Sequence, residues 1–264
     1  MLFAVSRPAV CAIVLGVLCG ATALAQNPGT PSPQDLQVDV KGLMIRGEQA
    51  YDAHNDTLAL KVFHEAAAAG DVKAMLYLGV MYGEGRGTTR NYGSALNWFL
   101  KSAEGGDGQA MCNIGVLYFQ GVGLPRDYAE ALRWFVKSAV TGNSEATFNV
   151  GVMERDGLGV PANAGEALKW FLKADPGDPA ATNAIGVFYQ QGKAVERDYQ
   201  QAMTYYRRAA DAGHVPAMYN IGVLYEGGLG VPMDCDQAIA WYKKAAAANS
   251  EDAKAALKSL GVSQ

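Results

Sequence analysis

The sequence predicts an all-α fold in which pairs of helices stack as an α-solenoid. The stretch NIGVLY at 113–118 returns unchanged at 220–225, and three related stretches occupy 77–82, 149–154 and 184–189. A second series, such as EALRWF at 130–135, also occurs five times. The glycines of the first series lie 36, 36, 35 and 36 residues apart, at Gly79, Gly115, Gly151, Gly186 and Gly222. Such a fixed period is the signature of a repeat array.

Each copy contains two amphipathic helical patterns. In the first, Ala110, Ile114 and Leu117 recur at i, i+4 and i+7, which places them on one helix face. In the second, Ala131 and Phe135 do the same. Because one helix pair cannot bury its apolar face alone, neighbouring copies are expected to stack.

The ends of the second helices carry capping signals. Side-chain oxygens that can accept from free backbone N–H groups precede each one, at Asn91, Asp127, Asn163, Asp198 and Asp234. Glycines that adopt a left-handed conformation easily mark helix ends at Gly70, Gly106, Gly142 and Gly213.

The N-terminal segment differs from the repeats. Arg7 is the only charged residue before an apolar run from Ala9 to Ala25, which closes with Ala23-Leu24-Ala25. This pattern is typical of a cleaved secretory signal, with an uncleaved anchor as the alternative. The sequence therefore predicts a periplasmic or secreted protein with no stable membrane span after cleavage.

The whole chain divides into a signal, a leader, six helix pairs and a cap. The predicted segments are a signal peptide at 1–25, a flexible Pro-rich leader at 26–40, a divergent helical repeat at 41–71, five repeats at 72–107, 108–143, 144–179, 180–214 and 215–250, and a capping helix with tail at 251–264.

The loops between the paired helices are rich in glycine, as in YFQGVGLP at 118–125. A phosphate-binding loop follows a strand, whereas these loops recur after helices. The nearest match to a Walker loop, around Gly192-Lys193-Ala194, has Ala where a magnesium-binding Ser or Thr is needed. The glycines are therefore interpreted as turn residues. The net charge of −4 gives no indication of nucleic-acid binding.

The repeat unit, with N-[IL]-G-V-x-Y before G-x-G-[VL]-P-x-D-Y and A-x-x-W-[FY], resembles the Sel1-like repeat, a relative of the tetratricopeptide repeat. The resemblance covers residues 72–250. It implies a right-handed superhelix with a concave groove. It also implies an adaptor or scaffold for other proteins, often in bacterial envelopes or secreted.

The third copy departs from this pattern. Glu154 replaces a tyrosine, Pro176 lies at the end of the second helix, and one residue is missing before Gly186. We expect a local irregularity near residues 173–182. Cys112 and Cys235 lie three repeats apart, which is too far for a disulfide within one chain.

The candidate groove is assigned from the first helix of each copy. In related tetratricopeptide domains, the residue before the Leu-Gly pair faces the groove and can hold a peptide backbone. Here it is asparagine in three repeats, at Asn113, Asn149 and Asn220, and Tyr77 and Ala184 in the other two. An asparagine ladder suits an extended peptide. The alternative is that asparagine is only the consensus residue of the repeat. The preceding, variable position includes Leu76, Phe148, Asn183 and Tyr219, and the far end of the same face carries Glu84, Gln120, Asp156, Gln191 and Glu226. The groove is expected to be neutral to acidic.

Catalytic and metal-binding motifs are absent from the sequence. His64-Glu65 opens an H-E-x-x-H pattern, but residue 68 is Ala. His54 and His214 lie in predicted turns and are expected to be solvated. The recurrent Trp98, Trp134, Trp170 and Trp241 could stack on carbohydrate, but their fixed place beside alanines favours packing.

The sequence thus predicts a non-catalytic, monomeric scaffold that binds a protein or peptide without a cofactor. The alternatives are a cell-wall or β-lactam hydrolase, and a glycan- or peptidoglycan-binding scaffold. Phe148 and Tyr219 on one continuous surface would favour the glycan-binding scaffold.

Overall fold

The computed structural model describes residues 39–175 and 177–262. The predicted signal peptide, nearly all of the leader, and Pro176 lie outside these residues. Within them the chain forms thirteen α-helices and no strand. The helices are α1 (Val40–Asp52), α2 (Asp56–Ala68), α3 (Val72–Glu84), α4 (Tyr92–Glu104), α5 (Gly108–Gln120), α6 (Tyr128–Val140), α7 (Ser144–Asp156), α8 (Ala164–Ala174), α9 (Pro179–Gln191), α10 (Tyr199–Asp211), α11 (Val215–Gly227), α12 (Cys235–Ala247) and α13 (Glu251–Ser259).

The helices form two compact units, one ending at Ala110 and the other beginning at Met111. We call them the N-terminal unit and the C-terminal unit. In each repeat the first helix is the A helix (α3, α5, α7, α9, α11) and the second is the B helix (α4, α6, α8, α10, α12). Consecutive helices pack in pairs, α3 on α4, α7 on α8, α9 on α10 and α11 on α12. The predicted all-α fold of helix pairs is confirmed.

The recurring glycine of the A helix allows an aromatic ring of the B helix to touch its backbone. A Cβ atom added at Gly151 would lie 2.6 Å from the Phe171 ring. One added at Gly222 would lie 2.5 Å from the Tyr242 ring. Both rings are buried. The 36-residue period of glycine is therefore a packing requirement, because any side chain there would occupy the space of the ring.

The predicted helix caps are also confirmed. The side chains of Asn91, Asp127 and Asp234 each accept from the backbone N–H three residues later, at 2.9 Å. Asn163 and Asp198 cap α8 and α10 in the same way. The predicted closing glycines have φ angles between 83° and 91°, at Gly70, Gly106, Gly142 and Gly213.

The third repeat is irregular, as predicted. Helix α8 has 11 residues, whereas the other four B helices have 13. Its C-cap residue, Asp175, is extended, with φ −71° and ψ 131°. The Asp175 carboxylate accepts from Arg208 at 2.7 and 2.8 Å and from the Thr182 hydroxyl. These bonds fasten the shortened connection to both following helices.

The two cysteines of the described chain, Cys112 and Cys235, are free thiols. Cys112 is buried and Cys235 is exposed. Burial raises the pKa of the Cys112 thiol well above its ordinary value. Among the described helices, none combines the length and the apolar character that crossing a bilayer would require.

Candidate binding site on the A helices

In the N-terminal unit, two of the predicted groove residues belong to the core. Leu76 is 2% exposed and Tyr77 is 5% exposed. The Tyr77 ring stacks on Phe63 with centroids 4.5 Å apart, and its hydroxyl donates to Glu48 at 3.3 Å. Glu84, at the end of α3, is half-buried. The prediction that Leu76 and Tyr77 face a ligand is wrong, because their side chains fill the space between the helices of this unit.

In the C-terminal unit, the asparagine ladder joins successive A helices. Asn220 Nδ2 on α11 donates to Asn183 Oδ1 on α9 at 3.0 Å. Burial raises the pKa of the Cys112 thiol on α5, and Asn149 on α7 opposes this larger effect by lowering it. In both pairs, an asparagine of one repeat faces the variable residue of the repeat before it. Asn149 and Asn220 remain half-buried, whereas Asn113 is 1% exposed. The Asn113 side chain is therefore closed to a ligand.

The residues predicted at the far end of the same face are not all equivalent. Gln120, Asp156 and Gln191 each follow the recurring glycine by five residues and are exposed. Glu226 follows Gly222 by only four. Its carboxylate accepts from the Tyr242 hydroxyl at 2.5 Å, and the Tyr206 hydroxyl donates to Gln190 in the corresponding way. The assignment of Glu226 to this series was therefore wrong, because Glu226 lies one residue before the equivalent position.

Four of the predicted residues line one cavity of about 510 Å³. Phe148 and Asp156 come from α7, and Asn183 and Gln191 come from α9. At the start of α11, Pro216 and the N-cap residue His214 also line the cavity. The rest of the lining consists of Arg155, Lys193 and four apolar residues, Ala180, Ala184, Val187 and Phe188. The cavity thus combines an apolar interior with amide and charged groups.

The charges at the cavity are mixed. Arg155 binds Asp156 through two hydrogen bonds of 2.7 and 2.8 Å. This pairing lowers the pKa of the Asp156 carboxyl, and Lys193 acts in the same direction. Lys193 itself is exposed. With two cations and one anion, the lining is basic, so the prediction of a neutral to acidic groove is wrong here. The error arose because Arg155 and Lys193 lie outside the positions assigned to the groove.

His214 is not the solvated turn residue that the sequence predicts. It is half-buried at the cavity wall, and its Nδ1 atom is buried without a hydrogen-bond partner in the described structure. Burial lowers the pKa of the imidazole, and Asp178 opposes this effect. His54, in contrast, is exposed.

The recurrent tryptophans take part in packing, as predicted. Trp98, Trp170 and Trp241 are half-buried against the hydrophobic clusters of their units. A lysine one turn later lies over each ring, and Lys244 Nζ is 4.0 Å from the centroid of Trp241.

Two aromatic residues of the predicted groove also pack on B-helix rings. The ring centroids of Phe148 and Tyr219 lie 5.5 Å from those of Phe171 and Tyr242, respectively. Of these two, only Phe148 lines the cavity.

The residues that the sequence analysis missed were detectable as departures from the repeat. Lys193 aligns with Leu158 and Leu229, and both of these leucines pack on hydrophobic clusters. His214 occupies an N-cap position where Asp71 and Asn143 serve the preceding A helices. Within residues 39–175 and 177–262, no group of three or more His, Cys, Asp or Glu side chains is placed to hold a metal ion.

Comparisons with known proteins give a consistent result. The Sel1 repeat family model matches residues 72–107, 108–139, 144–174, 179–214 and 215–250. A Sel1 repeat protein from Oxalobacter formigenes is 32% identical, with a TM-score of 0.78 over 84% of this chain and 89% of that one. The c5321 protein, a protective antigen present in uropathogenic Escherichia coli strains, is 28% identical, with a TM-score of 0.74 over 85% of this chain and 50% of that one. This chain therefore spans half the length of c5321. No curated protein matches the chain.

Proposed function

Because the chain belongs to the Sel1 repeat family, we propose that it is a non-catalytic scaffold that binds a partner protein or peptide in the cavity of its C-terminal unit. Proteins built from Sel1 repeats generally mediate protein–protein interactions. The observation that carries the proposal is the cavity itself, where variable residues of α7 and α9 meet. An apolar pocket with a few polar groups is the usual form of a binding site.

The lining residues favour binding over chemistry. None of the twelve residues around the cavity is a serine, threonine or cysteine that could serve as a nucleophile. Arg155 and Asp156 bind each other, which leaves neither poised for proton transfer. A hydrolase acting on cell-wall or β-lactam substrates therefore has no support in the lining. A glycan-binding scaffold has little support, because Phe148 and Tyr219 do not both line this cavity.

The proposed location is the bacterial envelope or the secretome, with the protein acting as a monomer. The support is the apolar run that ends at Ala25. Residues 1–40 fused to an enzyme that is active only outside the cytoplasm would test the location. Activity of the fusion supports export, and an inactive, unprocessed fusion contradicts it.

A peptide-display selection tests the binding proposal. The chain from Gln26 onward would be immobilised and exposed to a phage library of random dodecapeptides. In the variant Ala180→Met, a larger side chain enters the cavity. Its matched control, Ala240→Met, changes an exposed alanine of α12 that is not part of the lining.

We expect the native chain and Ala240→Met to enrich the same peptides and Ala180→Met to lose them, with equal helicity of all three by circular dichroism. If the native chain enriches no peptide above uncoated beads, the proposed function is wrong. Equal enrichment by all three proteins would place binding outside the cavity and contradict the proposed site.

A further inference from the structure

The cavity in the C-terminal unit has the size and lining for one large apolar residue, with its side chain and part of its backbone. Its volume of about 510 Å³ lies within the range of small-ligand sites and exceeds what a single leucine or phenylalanine fills. Phe148, Val187 and Phe188 present aromatic and aliphatic surface to it. Burying a leucine-sized group on such surface strengthens binding about tenfold or more. Size and lining therefore favour an apolar residue with part of its backbone.

Polar groups at the same cavity fit the backbone of an extended peptide. The side-chain carbonyl of Asn183 already accepts from Asn220, so its own NH₂ group is the part available for donation. Gln191 is exposed at the end of α9 and can both donate and accept. Donors and acceptors of this kind suit a peptide carbonyl and N–H on either side of a seated side chain.

Lys193 breaks the repeat pattern at this cavity. Three of its four counterparts in the other repeats pack on neighbouring residues: Arg86 binds Asp56 at 2.6 Å, and Leu158 and Leu229 join hydrophobic clusters. Lys193 is exposed instead. No ion pair of Lys193 occurs within the part of the chain that the structure describes. A position that elsewhere stabilises the stacking of repeats thus carries a cation at the cavity.

The charged side chains of the lining indicate which group of a ligand Lys193 can bind. Arg155 pairs with Asp156, so the two cations of the lining exceed its one anion by one charge, and Lys193 is the cation that makes no ion pair among the described residues. The chain as a whole has a net charge of −4, so a local positive charge is a departure from its average. A single lysine suits one carboxylate, whereas a nucleic acid requires an extended basic surface.

From these observations we infer that the cavity anchors a peptide through one large apolar side chain, with a neighbouring carboxylate of that peptide bound by Lys193. The inference rests on the proposed function and specifies its ligand. The carboxylate belongs either to an adjacent Asp or Glu residue or to the C-terminus of the peptide. The two sources share the same chemistry and are separable by experiment.

Synthetic peptides test the inference directly. The first probe is fluorescein-labelled Gly-Gly-Leu-Glu-Gly-Gly-amide, compared with versions in which Gln replaces Glu or Ala replaces Leu. The second is Gly-Gly-Gly-Leu with a free carboxylate, compared with its C-terminal amide. Fluorescence anisotropy gives the Kd of each peptide for the native chain, for Lys193→Leu and for Lys243→Met.

The two protein variants are matched. Leucine is the natural residue at the matching position of two repeats, so Lys193→Leu should fold normally. Lys243 is an exposed lysine of α12 outside the lining.

We expect one carboxylate form to bind the native chain about three- to fivefold more tightly than its uncharged twin, the magnitude of an exposed ion pair. Lys193→Leu should remove this preference and Lys243→Met should keep it. Replacing Leu by Ala should weaken binding about tenfold or more. Whichever peptide shows the preference identifies the source of the carboxylate.

Two results would overturn the inference. One is a native chain that enriches library peptides yet does not distinguish the charged from the uncharged probes, which would leave the proposed function standing. The other is a charge preference that survives in Lys193→Leu. A native chain that enriches no library peptide would instead overturn the proposed function itself.

Discussion

At the scale of single residues, the side chains of Asn183 and Asn220 show that a groove position can also be a structural one. Their hydrogen bond of 3.0 Å joins α9 to α11. Each side chain is half-buried, so the bond is partly shielded from water. The asparagine of the repeat consensus therefore helps to hold successive A helices together, in addition to any contact with a ligand.

A double-mutant cycle measures this contribution. Asn183→Ala and Asn220→Ala should each lower the free energy of unfolding by about 1 kcal/mol, and the double variant should lose little more than either. Urea unfolding followed by circular dichroism gives the three values. Fully additive losses would show that the two amides do not interact.

His214 is the residue whose replacement should most clearly improve the fold. It is the N-cap of α11 but makes no side-chain cap bond, whereas Asn143 caps α7 at 2.8 Å. Its pKa is lowered by burial from the ordinary value of 6.5. The unfolded chain therefore takes up a proton near pH 6.5 that the folded chain resists, so the free energy of unfolding falls as the pH drops through this range.

We expect His214→Asn to raise the free energy of unfolding by about 1 kcal/mol at pH 7.5, through the new cap. The loss of stability between pH 7.5 and 5.5 should also become smaller. Some pH dependence will remain, because burial also lowers the pKa of His64. Urea titrations of both proteins at the two pH values check this. An unchanged slope with pH would contradict the assigned cause.

At the scale of helices, the fit of a B-helix ring against an A-helix glycine is the contact that sets the pairing. Gly151 and Phe171 illustrate it, because a Cβ atom at residue 151 would lie 2.6 Å from a buried ring. The ring has no exposed space into which it can move. This contact couples the sequence period to the distance between the two helices.

Gly151→Ala should lower the free energy of unfolding by about 1–3 kcal/mol, since overpacking outweighs the higher helix propensity of alanine. Gly165→Ala, in the first turn of α8, meets only ordinary contact at 3.4 Å from Asn163 Oδ1 and should be neutral or stabilising. Thermal unfolding of both variants tests the comparison. Equal effects would mean that the ring moves freely and that the glycine is not required.

At the scale of the whole molecule, a repeat array has to close its last apolar face. Helix α13 covers α12, and Ala253 and Leu257 join Tyr242 and Ala245 in one buried cluster. Its exposed side carries Glu251, Asp252 and Lys258. The helix thus gives the C-terminal unit a polar end, which stacked repeats need for solubility.

Removing residues 251–264 should lower the melting temperature by about 5 °C or more and promote aggregation, because the apolar surface of α12 becomes exposed. Lys258→Ala, which changes only an exposed side chain, should leave both properties unchanged. Calorimetry and light scattering on the two proteins provide the check. A truncated chain as stable and soluble as the native one would contradict the capping role.

Sequence periodicity was sufficient to predict the structure wherever the same local interaction recurs. The caps at Asn91 and Asp127 and the shortened end of α8 were predictable, because each depends on residues close in the chain. The site was only partly predictable. Phe148 and Asn183 were assigned correctly to one surface, whereas Tyr77 was assigned to a groove although it packs in the core.

The sequence by itself determined the helix pairs, their ends and the family, since local patterns repeated five times leave little freedom in the backbone. Only the tertiary structure decided which side chains are open to a ligand. Burial depends on neighbours 36 residues away, and therefore equivalent positions differ: Asn113 is closed while Asn149 and Asn220 are half-buried. The cavity and the position of Lys193 beside it follow from the packing of three A-helix segments, which no single repeat encodes.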